Sequence, residues 1–231
     1  MDIIQAITRT ENRKWLYHFT RASNLKAIAA LDRLLPSGVI RPEFSGERRT
    51  EQMQSAYEGL IMTLNAHLRI PDKMMAASTT QQQFRAHLDS HVFFWPTLRD
   101  CRKMLEMYTR REPEESFAVL AFDAQSLLRA NAGSVFLTKY DSGSSPRFPD
   151  RCGYRKSLDM FLPVEQLGTV NRYDVPAKVS DIKEVLVADG VDSISLHLTA
   201  LYADNSTEDI PERWRGMQRP LSMLETPGNL V

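Results

Sequence analysis

Several residues in this 231-residue chain have types and spacing suited to chemistry. His18 stands in Trp15-Leu-Tyr-His-Phe-Thr20, where strand alternation puts Tyr17 and Phe19 on one face and His18 on the other. Such an imidazole either fills a place in a core or donates a hydrogen bond to a ribose hydroxyl or an amide, and Thr20 beside it suits both roles. Glu184 lies in Ile182-Lys-Glu-Val-Leu-Val187, where the same alternation sets a carboxylate between Ile182 and Leu186. A carboxylate there faces water at an edge or is placed to meet positive charge. An oxocarbenium-like ribosyl cation is one such charge, because a preorganised anion lowers the cost of forming it. Asp159, in Ser157-Leu-Asp-Met-Phe161, is a second candidate acid.

Two further segments bring binding chemistry. His91-Val-Phe-Phe-Trp95 ends just before Pro96, so Phe94 and Trp95 either fill a sheet or offer a surface for a flat nicotinamide or adenine ring. The position suits one of the two, not both. Asp141 to Gly153 is dense in turn formers and too long for a plain connection. Arg147 and Arg151 there have the fork geometry to grip a pyrophosphate, although a solvated loop has the same composition. With Arg155 and Lys156, residues 147–156 hold four cations against Asp150, a local basic patch suited to the backbone of single-stranded DNA or RNA.

The elements that must position these groups follow from periodicity. Trp15–Thr20 reads as a strand, and Ser23–Leu35 as a helix with Leu25, Ile28, Leu31 and Leu35 on one face, stopped by Pro36 and Gly38. Ala56–Leu68 and Gln81–Leu88 read as helices separated by Pro71. Residues 91–95 form the strongest strand signal, followed by a helix through Leu98, Cys101, Leu105 and Tyr108 whose other face carries Arg99, Arg102, Lys103 and Arg110. Strands are expected at 116–122, 134–140, 182–187 and 193–202. Helices early and strands late argue for an α+β domain with largely antiparallel pairing. We expect a single domain over 1–203 and a tail over 204–231, where prolines and charges dominate, that drapes over the body or stays mobile.

Composition excludes other classes. Lys plus Arg and Asp plus Glu number 29 each, so nucleic-acid binding must come from a local patch. Cys101 and Cys152 lack metal spacing and fit a reducing compartment, so no metal is expected. Neither a signal peptide nor a run of about 18 apolar residues occurs, which reads as a soluble cytoplasmic protein without a membrane partner. No glycine-rich dinucleotide fingerprint, Walker loop, nucleophile elbow or zinc-protease motif is present.

Tyr17-His18-Phe19-Thr20, followed by Asn24-Leu25, Ile28 and the Leu-Leu-Pro-Ser-Gly close, resembles the opening of DarT-type DNA ADP-ribosyltransferases. Still more similar is an uncharacterised bacterial family of ADP-ribosyltransferase-like domains in which a VFFW strand and an SG…RG loop recur. Here these are Val92-Phe93-Phe94-Trp95, Ser142-Gly143 and Arg151-Cys152-Gly153, the cysteine interrupting the last pair. The resemblance implies split antiparallel sheets with flanking helices, NAD as co-substrate and ADP-ribosyl transfer to a macromolecule. It further implies NAD-binding roles for His18, Thr20, one of Phe94 and Trp95, Ser142, Gly143 and Arg151, with Glu184 as the acid at the ribosyl centre. Arg49, in Glu47-Arg48-Arg49, lies about where that group keeps a catalytic arginine. By analogy, a bacterial toxin or phage-defence role with a neutralising antitoxin protein follows. The competing expectations are a catalytically inactive NAD- or nucleic-acid-binding module of the same fold, an enzyme that modifies protein, and an adaptor whose aromatic groove holds a peptide.

Overall fold

A computed structural model describes residues 2–146, 148–204 and 210–224. In chain order the main elements are α1 (Ile3–Ile7), β1 (Trp15–Arg21), α2 (Leu25–Leu31), α3 (Ser37–Ile40), β2 (Met53–Tyr57), β3 (Leu60–Leu64), α4 (Gln81–Asp89) and β4 (His91–Phe94). They continue with α5 (Leu98–Arg111), β5 (Phe117–Asp123), α6 (Ala124–Ala130), β6 (Val135–Thr138), β7 (Leu162–Pro163), β8 (Glu184–Ala188), β9 (Leu198–Tyr202) and β10 (Gln218–Arg219). The architecture is α+β. One four-stranded sheet has the order β1-β5-β9-β10, a second β4-β8-β6-β7, and β2 with β3 forms a separate two-stranded sheet; all pairs are antiparallel except β9 with β10.

The two four-stranded sheets share a core and are tied by one backbone bridge. Tyr17 and Trp95 exchange backbone hydrogen bonds of 3.0 and 2.9 Å, tying β1 to the end of β4. Beyond that bridge the sheets splay, so residues following Tyr17 on β1 and preceding Trp95 on β4 face a gap. Strand β5 is buried on both faces: Ala118, Leu120 and Phe122 join the main core with Leu16, Phe94 and Val185, while Phe117 and Val119 join Tyr17, Phe19, Trp95 and Tyr108 beneath α5. A central strand sealed on both sides is a stiff base for the neighbouring strand that carries His18.

Local chemistry explains where the elements depart from expectation. Ala56–Leu68 is no helix but the second half of a β-hairpin and its exit, because Glu58 and Gly59 take φ of 49° and 76°, the two positive values that a tight hairpin turn requires. Met62 and Leu64 are buried while Ile61 between Leu60 and Met62 is 57% exposed, an alternation that no helix produces. Helix α2 stops at Leu31 because Asp32 turns left-handed at φ 52°, and Leu34 then pairs with Val191. The predicted strand at 193–202 begins as a 3₁₀ turn, Ile194–Leu196. Helix α6 lacks a sequence expectation; Asp123 caps it by accepting from the Ser126 N–H at 2.7 Å. Over 210–224 the chain lies on the body, with Ile210, Trp214 and Leu224 buried.

Candidate active site

The gap between the sheets is a cleft of about 250 Å³. His18, Thr20, Arg49, Trp95, Gly143 and Glu184 all line it, six site candidates drawn from opposite ends of the sequence. Four others lie elsewhere. Phe94 points into the core with its ring edge-on to Phe122 at 5.8 Å, so of the two aromatics only Trp95 faces the cleft. Ser142 is buried and spent on holding Glu184. Asp159 sits exposed on the 3₁₀ turn Leu158–Met160 and is absent from the cleft lining, while its backbone carbonyl accepts from Arg172. Arg151 is exposed, its guanidinium over the Phe148 ring, also outside the cleft. Arg147 lies outside the described residues.

Glu184 begins β8, at the end of the strand nearest the split. Its Oε2 accepts from Thr138 Oγ1 at 2.9 Å, from the Ser142 N–H at 3.0 Å and from Ser142 Oγ at 2.7 Å. Burial, with the Asp141 charge adding to it, raises its carboxyl to about 7 against the pull of those three donors. All three donors use one oxygen, and the other has no hydrogen-bond partner among the described residues. Glu184 also lines a second cleft of about 380 Å³ with Trp95, Asp141, Tyr140 and Tyr154, whose tyrosine rings stack at 3.8 Å. The carboxylate is thus reached from two sides.

Lys156 holds the loop that holds Glu184. It is fully buried, and its ammonium donates to the Asp141 and Ser142 carbonyls at 2.7 and 2.8 Å. Burial pushes its ammonium down to about 8, although the nearby Asp141 and Glu184 charges favour protonation. Lys156 therefore does not belong to the surface patch expected over 147–156; its charge works inside.

His18 is half-buried, and its Nδ1 lies 2.9 Å from the Phe93 carbonyl, which can only accept. The proton belongs on Nδ1, and burial pulls the imidazole down to about 4, so the ring is neutral. Its Nε2 then carries a lone pair. With its proton on Nδ1, the neutral ring presents Nε2 to the cleft as a hydrogen-bond acceptor.

Arg49 closes the cleft wall through a network that sequence reasoning missed. Its guanidinium donates to Asp89 Oδ1 at 2.7 Å, Ser37 Oγ at 3.2 Å and the Asn65 carbonyl at 3.1 Å. The Arg49 N–H donates to His67 Nδ1 at 3.1 Å, leaving the ring proton on Nε2 for Asp89 Oδ1 at 2.9 Å. Burial alone would raise the Asp89 carboxyl, but the bonds from His67, Arg49 and the Gly46 N–H outweigh it and hold it well below the usual range. Gly46 can approach because it has no side chain: at φ +81°, a Cβ would stand 2.9 Å from the Gln82 carbonyl. The result is an arginine fixed at the rim of a cleft by an anion that stays ionised.

With this arrangement in view, comparison with known proteins places the chain in a family. The model for the "Family of unknown function (DUF7002)" matches residues 14–198, and the chain belongs to that family. No curated protein matches it. Among solved structures it is similar to DarT of Thermus sp. 2.9 in complex with ADP-ribosylated ssDNA, at 14% identity and a TM-score of 0.43, over 90% of this chain and 92% of that one. The complex of the same protein with carba-NAD+ gives 16% identity and a TM-score of 0.38 over 91% and 95% of the two chains. Its complex with NAD+ gives 16% and 0.38 over 90% and 93%. Among the described residues no helix is long and apolar enough to cross a membrane.

Proposed function

We propose that this protein is an NAD-dependent ADP-ribosyltransferase, of the glycosyltransferase class, that modifies nucleic acid. The observation that carries this reading is Glu184, a carboxylate with one oxygen committed and the other without a hydrogen-bond partner among the described residues, lining the same cleft as the acceptor nitrogen of His18 and the indole of Trp95. His18 Nε2 accepts from a ribose hydroxyl, Trp95 packs the nicotinamide ring, and Thr20 and Gly143 border the dinucleotide. The bond between nicotinamide nitrogen and ribose C1′ breaks, and the electron pair leaves with nicotinamide. The Glu184 anion stabilises the cation left on C1′. An acceptor nitrogen or oxygen enters from the second cleft, bonds to C1′ and passes its proton to the Glu184 carboxylate. Arg49, its charge offset by Asp89, borders the cleft where a phosphate of the dinucleotide lies.

Support for a nucleic-acid acceptor comes from the exposed Arg151 and from the exposed Arg155, which lies between Tyr154, stacked on Tyr140, and Lys156, bonded to the Asp141 and Ser142 carbonyls. An enzyme that consumes NAD and marks nucleic acid harms the cell that makes it, so the proposal includes a toxin or phage-defence role in the cytoplasm with a neutralising protein partner. The test is nicotinamide release from NAD by the parent and by Glu184→Gln, with NAD affinity measured in both. Release by the parent alone, at similar affinities, supports the reading; equal release, or none by either with no NAD bound, overturns it.

A further inference from the structure

A third, strongly cationic pocket of about 260 Å³ adjoins the first cleft: His67, Leu68, Leu88 and Gly143 line both. Three arginines line it, Arg48, Arg69 and Arg85, against one carboxylate, Asp72. That acid is already engaged by Gln81 Nε2 at 3.1 Å. Arg85 is half-buried and held in place, donating through Nε to the Gly46 carbonyl at 2.9 Å and through Nη1 to Gln81 Oε1 at 3.3 Å, which leaves Nη2 unused among the described residues. Burial, and then the charge of Arg48, hold the Arg85 guanidinium below its usual value, so these cations repel each other across the pocket. Arg48 and Arg69 are exposed and make no ion pair among the described residues.

Three guanidinium charges against one carboxylate leave a surplus of two in a concave site. One ligand carboxylate neutralises only half of it. Phosphate groups match both the charge and the bidentate fork of each guanidinium. We propose that this pocket is a phosphate-binding site, formed by Arg48, Arg69 and Arg85, that holds a phosphate extending out of the neighbouring cleft. Two ligands present that chemistry: the diphosphate of a dinucleotide lying in the cleft, and the phosphodiester backbone of a nucleic-acid strand crossing its rim. The site stands whether or not Glu184 catalyses transfer, although its place beside the cleft is explained by that reading.

The test uses the full chain and the double substitution Arg48→Gln with Arg69→Gln. Both side chains are exposed, so a melting temperature within about 2 °C of the parent confirms an intact fold. Inorganic pyrophosphate is titrated calorimetrically at low salt into parent and variant, and binding at least about tenfold weaker in the variant is expected. Equal binding by both proteins, or none by the parent, overturns the site. NAD and oligothymidylate then identify the source. Weakening for NAD assigns the dinucleotide diphosphate. Weakening for oligothymidylate, with a salt slope shallower by about 0.7 for each phosphate no longer neutralised, assigns the strand. A parent that binds pyrophosphate but releases no nicotinamide keeps the pocket and removes only the transfer reading.

Discussion

Replacing Glu184 by Gln should make the protein more stable at high pH while removing its activity. The folded chain holds the Glu184 proton up to about 7, against an ordinary value of 4.5. A folded-state value above the unfolded one means that the stability tied to this proton is fully present below about 4.5 and is lost as pH rises through about 7. At pH 8 the parent must bury an anion. The gap of about 2.5 pH units corresponds to about 3 kcal/mol, taken as an upper value because Lys156 returns part of it to the ionised form. Gln keeps an oxygen for Thr138 and Ser142 but cannot ionise. For a chain of this length the gain translates into a melting temperature on the order of 5 °C above the parent at pH 8, shrinking towards zero at pH 5. Thermal melts of both proteins at pH 5, 6, 7 and 8 measure it directly. Parallel pH profiles, or a Gln variant less stable at pH 8, would refute the reasoning that burial and Asp141 set the titration of this group. The same substitution should lower transfer by about 10²–10³-fold with NAD binding kept, the opposing signs marking a group retained for chemistry at the expense of stability.

Three further outcomes are expected. His18→Ala should weaken NAD binding by about 1–3 kcal/mol through loss of the Nε2 acceptor, with little change in melting temperature; a large drop in melting temperature at unchanged affinity would make His18 a structural residue. Lys156→Met should free the Asp141 and Ser142 carbonyls and remove the cation near Glu184, moving the acid limb of the transfer profile upward and lowering kcat more than it raises KM. An unshifted limb would limit Lys156 to holding the loop. Arg151→Gln with Arg155→Gln should weaken single-stranded nucleic acid binding and flatten its salt dependence by about one to two phosphates, without changing NAD affinity; unchanged salt dependence would point to a protein acceptor.

Much of the site was legible because strand alternation is a strict rule. It put His18 and Glu184 on faces with stated neighbours, and both line the cleft. Trp95 over Phe94 was a choice that alternation alone left open, since it depends on where the second sheet leaves the first at Tyr17–Trp95. The hairpin at 53–64 was hidden because Ala56, Leu60 and Leu64 also fit a helical repeat, and only the Glu58-Gly59 turn distinguishes the two. Asp89 and His67 were invisible for another reason: their role arises from meeting Arg49 across gaps of 40 and 18 residues, and nothing local marks them. Lys156 misled because sequence places it among exposed cations, whereas Asp141 and Ser142 fold back over it and make its charge internal.

The most direct test of the central claim follows the ADP-ribosyl group. NAD labelled on its adenylate phosphate is incubated with the parent or with Glu184→Gln, together with cell extract and added single-stranded DNA or RNA, and the label is traced to nucleic acid, protein, free ADP-ribose or unchanged NAD. The expected result is label on nucleic acid with the parent and little or none with the variant. Label that stays in NAD with the parent, in every fraction and at saturating protein, would contradict it.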